Sequence, residues 1–559
     1  MHQPNLEKRA SVFYDYKIHP FSTPPEMTNP EARHKVLIVG AGPVGLTTAL
    51  LLAKSGVPSV VIESEAQVSH GSRAVAATRR SMEVLQQAGA SEPFVKNGLV
   101  WNFGRSFYRG TEVFRMEIPT DVNDRFAPVT NNPQQYWEEY LVDCAEKSDL
   151  IDLRWQTKYV CLEENSDVVR ARLDTPEGEY TLSADWLVAC DGGRSVVRKE
   201  LGLRMEGAAY GGKFVIVDIK APDFDFATER RCYFDPEWNP GNSILLHRQP
   251  YDLWRLDYRL PEGETEETAL EPALLASRVN DLMAMVGKVV DWELDWASVY
   301  SANTKTLPDY RQGRVLLAGD AAHLLPIFGI RGANTGFQDA ENLAWKLAMV
   351  VTGDAGIDLI DTYSTERVKA AREICDEAAK STRMMDPPTK GYELLRSAIL
   401  SFSLSDPFCA ELMHWRTSRP HVYLDSRLNA ADDDNASISG GIVNGAVARN
   451  VKLGTDDFLF DHFRFGYHLL IFGGGDRAVD ANKLANRDRV RVISVNGGAT
   501  NADVDISSAA SSFATIYGLT QGGMYLLRPD MHVCGRWTSH DLDKVDTVLE
   551  AHSCLEATK

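Results

Sequence analysis

Four short apolar runs recur along the chain: Val36-Leu37-Ile38-Val39, Val60-Val61-Ile62, Trp186-Leu187-Val188-Ala189-Cys190 and Val315-Leu316-Leu317-Ala318. Each is too short for a helix and too continuously apolar for a half-exposed strand, so each is expected to be a parallel strand buried on both faces. Helical periodicity fills the gaps. The stretch after Gly42 carries no charge until Lys54, and helical patterns are expected from Thr78 to Ala88, from Tyr136 to Lys147 and from Ala269 to Val286. A strong one has Phe337, Ala340, Leu343, Ala344, Leu347 and Val351 at helical spacing, with Asn334 or Thr335 placed to cap it. Between about Leu201 and Tyr300 the pattern is different. Phe214–Val217, Ser243–Leu246 and Leu253–Tyr258 read as strands of an antiparallel sheet, inserted to cover a substrate.

The ends of the chain read as separate pieces. Residues 1–30 hold Phe13, Tyr14, Tyr16 and Phe21 among prolines, as an extended arm pinned by its aromatics or as a frayed tail. Residues 31–430 form the main region, and Asn429–Gly441 reads as a linker. The tail, 443–559, carries strands at Tyr467–Phe472, Val490–Ser494 and Met524–Pro529 and a closing helix with Leu542, Val545, Val548 and Leu549 on one face. Gly473-Gly474-Gly475 ends a strand there and reads as a turn, since no dinucleotide-type helix follows it.

The first unit is where chemistry enters. Gly40-Ala41-Gly42-Pro43-Val44-Gly45 joins the first strand to the first helix, and the second strand ends in Glu63. Gly40 permits a tight turn, Gly42 lets backbone approach a pyrophosphate, Gly45 lets helix and strand pack closely, and Glu63 is placed for a ribose. The pyrophosphate would rest on free N–H groups at the helix start. This stretch does not separate NAD from FAD. Two further strand ends carry acids and glycines, Asp191-Gly192 and Gly319-Asp320, on the edge where parallel sheets bind ligands. Arg73 could reach the cofactor, although a surface arginine would look the same.

Charge and cysteines narrow the class. With 59 basic and 78 acidic residues among 559, the formal charge is −19, which argues against nucleic acid or an anionic membrane as partner. The eight cysteines form no CxxC and no zinc-like spacing, so no metal is expected and the thiols read as reduced. No apolar run approaches a membrane span, and no secretory signal is seen in the first thirty residues. A cytoplasmic enzyme is the expectation.

The opening glycines with Glu63, Asp191-Gly192, and the run from Gly319-Asp320-Ala321-Ala322-His323 through Gly332-Ala333-Asn334-Thr335-Gly336-Phe337 to Leu347 together resemble the single-component FAD-dependent aromatic hydroxylases. The para-hydroxybenzoate and phenol hydroxylases typify that family. Length and tail look most like its 3-(3-hydroxyphenyl)propionate hydroxylase branch. The resemblance implies an α/β chain: a Rossmann-like FAD-binding domain, an inserted antiparallel sheet, and a thioredoxin-like C-terminal domain without redox cysteines.

It implies that Gly40, Gly42, Pro43, Val44 and Gly45 hold the FAD pyrophosphate and Glu63 the ribose, and that Arg73 and Gln134 touch the cofactor. Gly319-Asp320 would meet the ribityl chain, and Asp191-Gly192 both FAD and the nicotinamide. Gly332, Ala333 and Asn334 would aim a helix start at the flavin N1–C2=O edge, where reduced flavin is anionic. Pro326-Ile327-Phe328 departs from the para-hydroxybenzoate hydroxylase pattern and implies a bulkier, more apolar substrate edge.

The implied reaction is hydroxylation of a phenolic or other activated aromatic ring with NADPH or NADH and O2, through a flavin C4a-hydroperoxide. The alternatives are an FAD-dependent oxidase or dehydrogenase, or a decarboxylating or ring-opening monooxygenase of an aromatic or heteroaromatic acid. A vestigial flavin in a binding or structural protein is a further reading, which the intact glycines, Glu63 and Asp320 argue against. The catalytic group is unknown. Deprotonating a phenol asks for a His or Tyr relay or a nearby cation, and His247, Tyr210, Arg255 and Tyr258 are the candidates, yet each reads more readily as a packed sheet residue. A homodimer is compatible with all of this.

Overall fold

The computed structural model describes residues 1–326, 328–413, 418–431, 433–434, 438, 440–473, 478–519 and 522–553. Its centre is a parallel sheet ordered Val315–Leu317, Gly178–Ala189, Arg33–Val39, Ser59–Ile62 and Ile151–Arg154. Val36 to Val39 pair with Ser59–Ile62 on one side and with Trp186–Ala189 on the other, and all four are buried. The apolar runs therefore form one sheet covered on both faces, as their lack of alternation requires. The helix Pro43–Lys54 packs on Gln134–Ala145 and Gly332–Thr352. Its closeness to the strand end depends on Gly45, where a Cβ would stand 2.0 Å from the Gly40 carbonyl oxygen. Gly40 itself sits at φ +103°, with Cys190 O 2.6 Å from where its Cβ would be.

The second sheet is ordered His323–Leu324, Glu293–Thr306, Glu206–Lys220, Leu253–Arg259, Ser243–Arg248, Arg230–Phe234, Phe103–Tyr108 and Thr111–Glu117. It is larger than the expected insertion over 201–300, because it recruits two strands from before residue 120 and one after residue 320. One face, with Val215, Val217, Leu246, Trp254 and Leu256, is closed by Leu275, Val279 and Leu282 of the helix Pro272–Met285. The helix expected from Ala269 to Val286 breaks into Glu266–Ala269 and Pro272–Met285. Pro272 cannot donate an internal hydrogen bond and starts the second piece.

The arm is laid along the body. Tyr14 and Tyr16 are buried, Tyr14 OH donates to Glu139 at 2.6 Å, and Glu26 pairs with Arg154 at 2.8 Å. Ser11 Oγ donates to Asp295 Oδ1 at 2.6 Å, which ties the arm to the second sheet.

The tail forms a third sheet, ordered Val504–Ile506, Val490–Val495, Tyr467–Phe472, Gly523–Leu527 and Val533–Trp537, with three parallel strands followed by two antiparallel ones. This is a thioredoxin-like arrangement, with helices Ala510–Tyr517 and Leu542–Ser553 on opposite faces. The described part of the stretch read as a linker is bound to this sheet: Ala430 N donates to Cys534 O at 2.6 Å and Asp434 N to Arg536 O at 3.1 Å. Gly474 and Gly475 lie outside the described residues. Buried charge joins tail to body, since Arg528 donates to both carboxylate oxygens of Glu366 at 2.7 and 2.9 Å while Lys346 Nζ meets Glu366 at 2.7 Å.

Candidate functional site

A cavity of about 590 Å³ runs between the first two sheets, from Glu63 and Gly42 at one end to His247 and Asp257 at the other. Two helix starts open onto it. Gly42 precedes the helix Pro43–Lys54 and Arg331 precedes Gly332–Thr352, and neither start has a side-chain cap. Helix N-termini with free N–H groups attract negative charge. A dinucleotide with a diphosphate at its middle and an electron-rich ring at its end matches two such starts on one wall.

The sequence candidates divide here. Gly40, Gly42, Pro43, Val44, Glu63, Arg73, Gln134, Asp191, Gly192, Asp320, Gly332, Ala333 and Asn334 line the cavity. Gly45 and Gly319 do not form part of its wall. Gly45 meets Gly40, and Gly319 meets Val44, where a Cβ would stand 3.0 Å from Val44 Cγ2. Both are packing residues behind the wall.

Glu63 accepts from Ala41 N at 3.1 Å and Glu65 N at 3.1 Å, which sets its carboxylate beside the glycine turn. Gln134 Oε1 accepts from Ala74 N at 2.9 Å and its Nε2 donates to Glu138 at 2.8 Å, so its side chain shapes the Arg73–Ala74 segment. Asp191 Oδ2 caps the helix Val196–Glu200, accepting from Val196 N at 2.7 Å, and its Oδ1 has no partner among the described residues. Asn334 does not cap its helix, which begins two residues earlier. Its Oδ1 accepts from Thr78 N at 2.8 Å and Ser81 Oγ at 2.6 Å, pinning the helix start to the segment beneath it.

Asp320 opens into the cavity from a turn braced underneath. His323 Nε2 lies 2.6 Å from Asp339 Oδ2, which also accepts from Gly319 N at 3.0 Å, while Arg367 Nε donates to Asp339 Oδ1 at 2.6 Å. Burial works to raise Asp339, but Arg367 and His323 outweigh it and hold the carboxyl below its usual range. His323 is thus architectural. Asp320 itself is pushed up by surrounding protein, with His323 and Arg73 opposing.

The other end of the cavity belongs to the second sheet. Arg230 pairs across strands with His247, His247 with Arg255, and Arg255 with Asp218, which makes a polar rung four strands wide. Arg255 donates to Asp218 through Nε at 2.8 Å and Nη2 at 2.7 Å, and its guanidinium also reaches the carbonyls of Ser72 and Arg73. Arg255 lines the cavity and also clamps the sheet to the Ser72–Arg73 segment. Burial, then Arg230 and Arg255, hold His247 well below the usual imidazole range, so the ring is neutral.

Tyr258 is on the opposite face, its ring 5.8 Å from that of Trp238, and Tyr210 packs at the cluster around Phe214 and Met385, away from the cavity wall. Neither is positioned as a relay to a ligand in this cavity.

Phe328 also departs from expectation. Its ring stands 5.0 Å from that of Phe214 and does not line the cavity, where the apolar edge is made by Leu325, Pro326 and Ile330. Ile327 lies outside the described residues. Sequence reading missed Arg230, Asp257, Ile216 and Leu245, all on the wall. The available signal was in Leu253-Trp254-Arg255-Leu256-Asp257-Tyr258, where charges alternate with apolar residues on a strand whose first six residues are all buried.

Fold and cavity define a dinucleotide-binding scaffold with a separate antiparallel sheet closing the cavity. A family model described as the FAD binding domain matches residues 33–378, and the chain belongs to that family. Among curated relatives, the 3-(3-hydroxy-phenyl)propionate/3-hydroxycinnamic acid hydroxylase of Mycolicibacterium smegmatis is 29% identical over 365 residues, 65% of this chain and 64% of that protein. The namesake from Comamonas testosteroni is 32% identical over 342 residues, 61% of this chain and 56% of its own. The chain thus matches less than two thirds of the length of these relatives. Among solved structures, the flavin-dependent monooxygenase PieE in complex with FAD and substrate superposes with a TM-score of 0.75 at 23% identity, over 93% of this chain and 98% of that one. A ternary complex of aklavinone-11 hydroxylase with FAD and aklavinone gives 0.72 at 26% identity, over 93% and 99%.

Proposed function

We propose that the protein is an FAD-dependent monooxygenase that uses NADPH or NADH and O2 to hydroxylate a phenolic or other activated aromatic compound. One observation carries this: a single cavity joins the glycine turn and two uncapped helix starts to a substrate-side wall of Ile216, Leu245, His247, Asp257, Pro326 and Ile330. Bound FAD would supply the transfer of electrons from the nicotinamide and the activation of oxygen. The chain's own groups do the rest. N–H groups after Gly42 hold the diphosphate, Glu63 the ribose, and Asp320 with Arg73 the middle of the cofactor. The start of the helix Gly332–Thr352 would stabilise negative charge developing on the bound cofactor. The apolar wall orients the substrate ring and keeps water from the reacting face.

Among the described residues no helix is long and apolar enough to cross a membrane, and we place the enzyme in the cytosol. A homodimer is the assembly to test by size exclusion.

The test follows NADH and NADPH oxidation by the purified protein across a panel of phenols and hydroxylated aromatic acids, with mass spectrometry of each product. Oxidation stimulated by a compound that gains one oxygen atom is expected. Stimulated oxidation yielding only hydrogen peroxide for every compound would favour the oxidase reading. Ring cleavage or loss of CO2 would identify the other alternative.

A further inference from the structure

Two carboxylates on neighbouring strands share the cavity-facing side of the second sheet, and their circumstances are opposite. Asp218 receives two hydrogen bonds from Arg255, at 2.8 and 2.7 Å. Asp257 lies between Ile216 and Leu245 across the strands and lines the cavity with them. It is 3% exposed, and its Oδ1 is enclosed with no partner among the described residues. Its Oδ2 stands 3.7 Å from His247 Nε2, beyond hydrogen-bond distance. The hydroxyl of Tyr300, also buried on this sheet, has no partner either. Buried polar atoms are nearly always satisfied, and a carboxylate left without donors is costly, so such a group marks where something else donates.

We infer that Asp257 accepts a hydrogen bond from a hydroxyl on the aromatic ring and so selects substrates with a free phenolic O–H. The inference rests on the reading above. An ether has no hydrogen to give to Oδ1. The groups facing Asp257 are Arg255 on its own strand, Asp218 and His247 on the two adjoining strands, Arg230 on the strand beyond His247 and Tyr300 on the strand beyond Asp218. As the ring takes up one oxygen atom from O2, activated with the nicotinamide's electrons, the phenolic proton moves to Asp257 Oδ1. The electron pair left on the substrate oxygen flows into the ring, whose carbon forms the C–O bond as the O–O bond breaks. The displaced ring hydrogen leaves as a proton to water. Burial supports this role by pushing the carboxyl up to about 7, partly opposed by Arg255. The group can therefore hold that proton near neutrality. A site built to accept from a hydroxyl discriminates strongly against the analogue lacking it, because its acceptor is then left unpaired.

The experiment uses FAD-loaded protein with 2-naphthol and its ether, 2-methoxynaphthalene, each titrated against the visible flavin spectrum. Wild type is expected to bind the naphthol at least roughly tenfold more tightly than the ether. Asp257→Leu should keep its FAD content and bind both compounds alike. Asp257→Asn, which keeps the shape, should retain less than half of the preference, and turnover of any phenol found in the panel should fall in kcat more than it rises in KM. Equal binding of both compounds by wild type overturns the inference. So does a preference that survives in the Leu variant, or in the Asn variant if the Leu variant does not fold. Hydroxylated product from phenols alongside such a surviving preference would remove Asp257 alone. Failure of wild type to bind either compound, with no phenol turned over in the panel, would remove both readings.

Discussion

The two ends of the cavity are made of different material. At the dinucleotide end much of the wall is backbone, with glycine turns at Gly40 and Gly192 and helix starts at Gly42 and Gly332, joined by the side chains of Glu63, Arg73 and Asp320. Its side chains, such as Gln134 and Asn334, spend their hydrogen bonds on the chain itself. At the sheet end the wall is side chain, with apolar Ile216 and Leu245 around Arg230, His247 and Asp257. A backbone site recognises a fixed cofactor and tolerates little change in geometry. A side-chain site on a rigid sheet can alter its ligand one residue at a time. The difference assigns constancy to one end and specificity to the other.

Substitutions can break that contrast at chosen points. The largest effect is expected at Arg255, which touches both ends. Arg255→Ala leaves Asp218 buried without its partner and detaches the sheet from Ser72 and Arg73, at a cost of about 3–5 kcal/mol. Thermal unfolding should show it, and adding Asp218→Asn should recover part of the loss.

Gly45→Ala comes next. Its Cβ would fall 2.0 Å from a carbonyl oxygen, so helix and strand must separate, costing about 3 kcal/mol and most of the FAD affinity. Unchanged flavin content in that variant would show that the close approach is dispensable.

Asp257→Asn should act in the other direction, because function and stability oppose each other at that residue. A carboxyl raised to about 7 in the fold binds a proton that the unfolded chain has already released, so its burial costs stability as pH rises from about 4 to 7. Asparagine does not titrate. The variant should match wild type near pH 5 and melt higher near pH 8, by about 2 kcal/mol. A lower melting temperature at both values would mean that Asp257 is satisfied in the fold. The smallest effect is expected at Ser11→Ala, which removes the hydroxyl's hydrogen bond to Asp295 while Val12 N still donates to that carboxylate, and should cost about 1 kcal/mol with FAD still bound.

These differences also explain what the sequence could reveal. Gly40, Gly42, Gly45 and Glu63 lie within one strand–helix–strand unit, and their spacing alone implies a dinucleotide turn. The polar rung is invisible in that way. Arg230, His247, Arg255 and Asp218 come from four strands, and only the pairing register sets them side by side. The same register turns Tyr258 to the far face while keeping Asp257 on the cavity, because adjacent strand residues point to opposite sides. Phe328 was misplaced since loop direction depends on what surrounds it, here the ring of Phe214. Arg255 is legible in the sequence as a candidate cation on a sheet strand, but its pairing with Asp218 and with two backbone carbonyls depends on strand register and is not.

The most direct measurement is the flavin content of wild type and Asp320→Ala, read from the visible spectrum of protein purified with added FAD, alongside circular dichroism of both. Asp320 opens into the cavity from a turn held by Asp339, His323 and Arg367. The account expects about one flavin per wild-type chain, and a folded variant with most of it lost. A wild type that stays colourless, or a variant that keeps full occupancy, would contradict it.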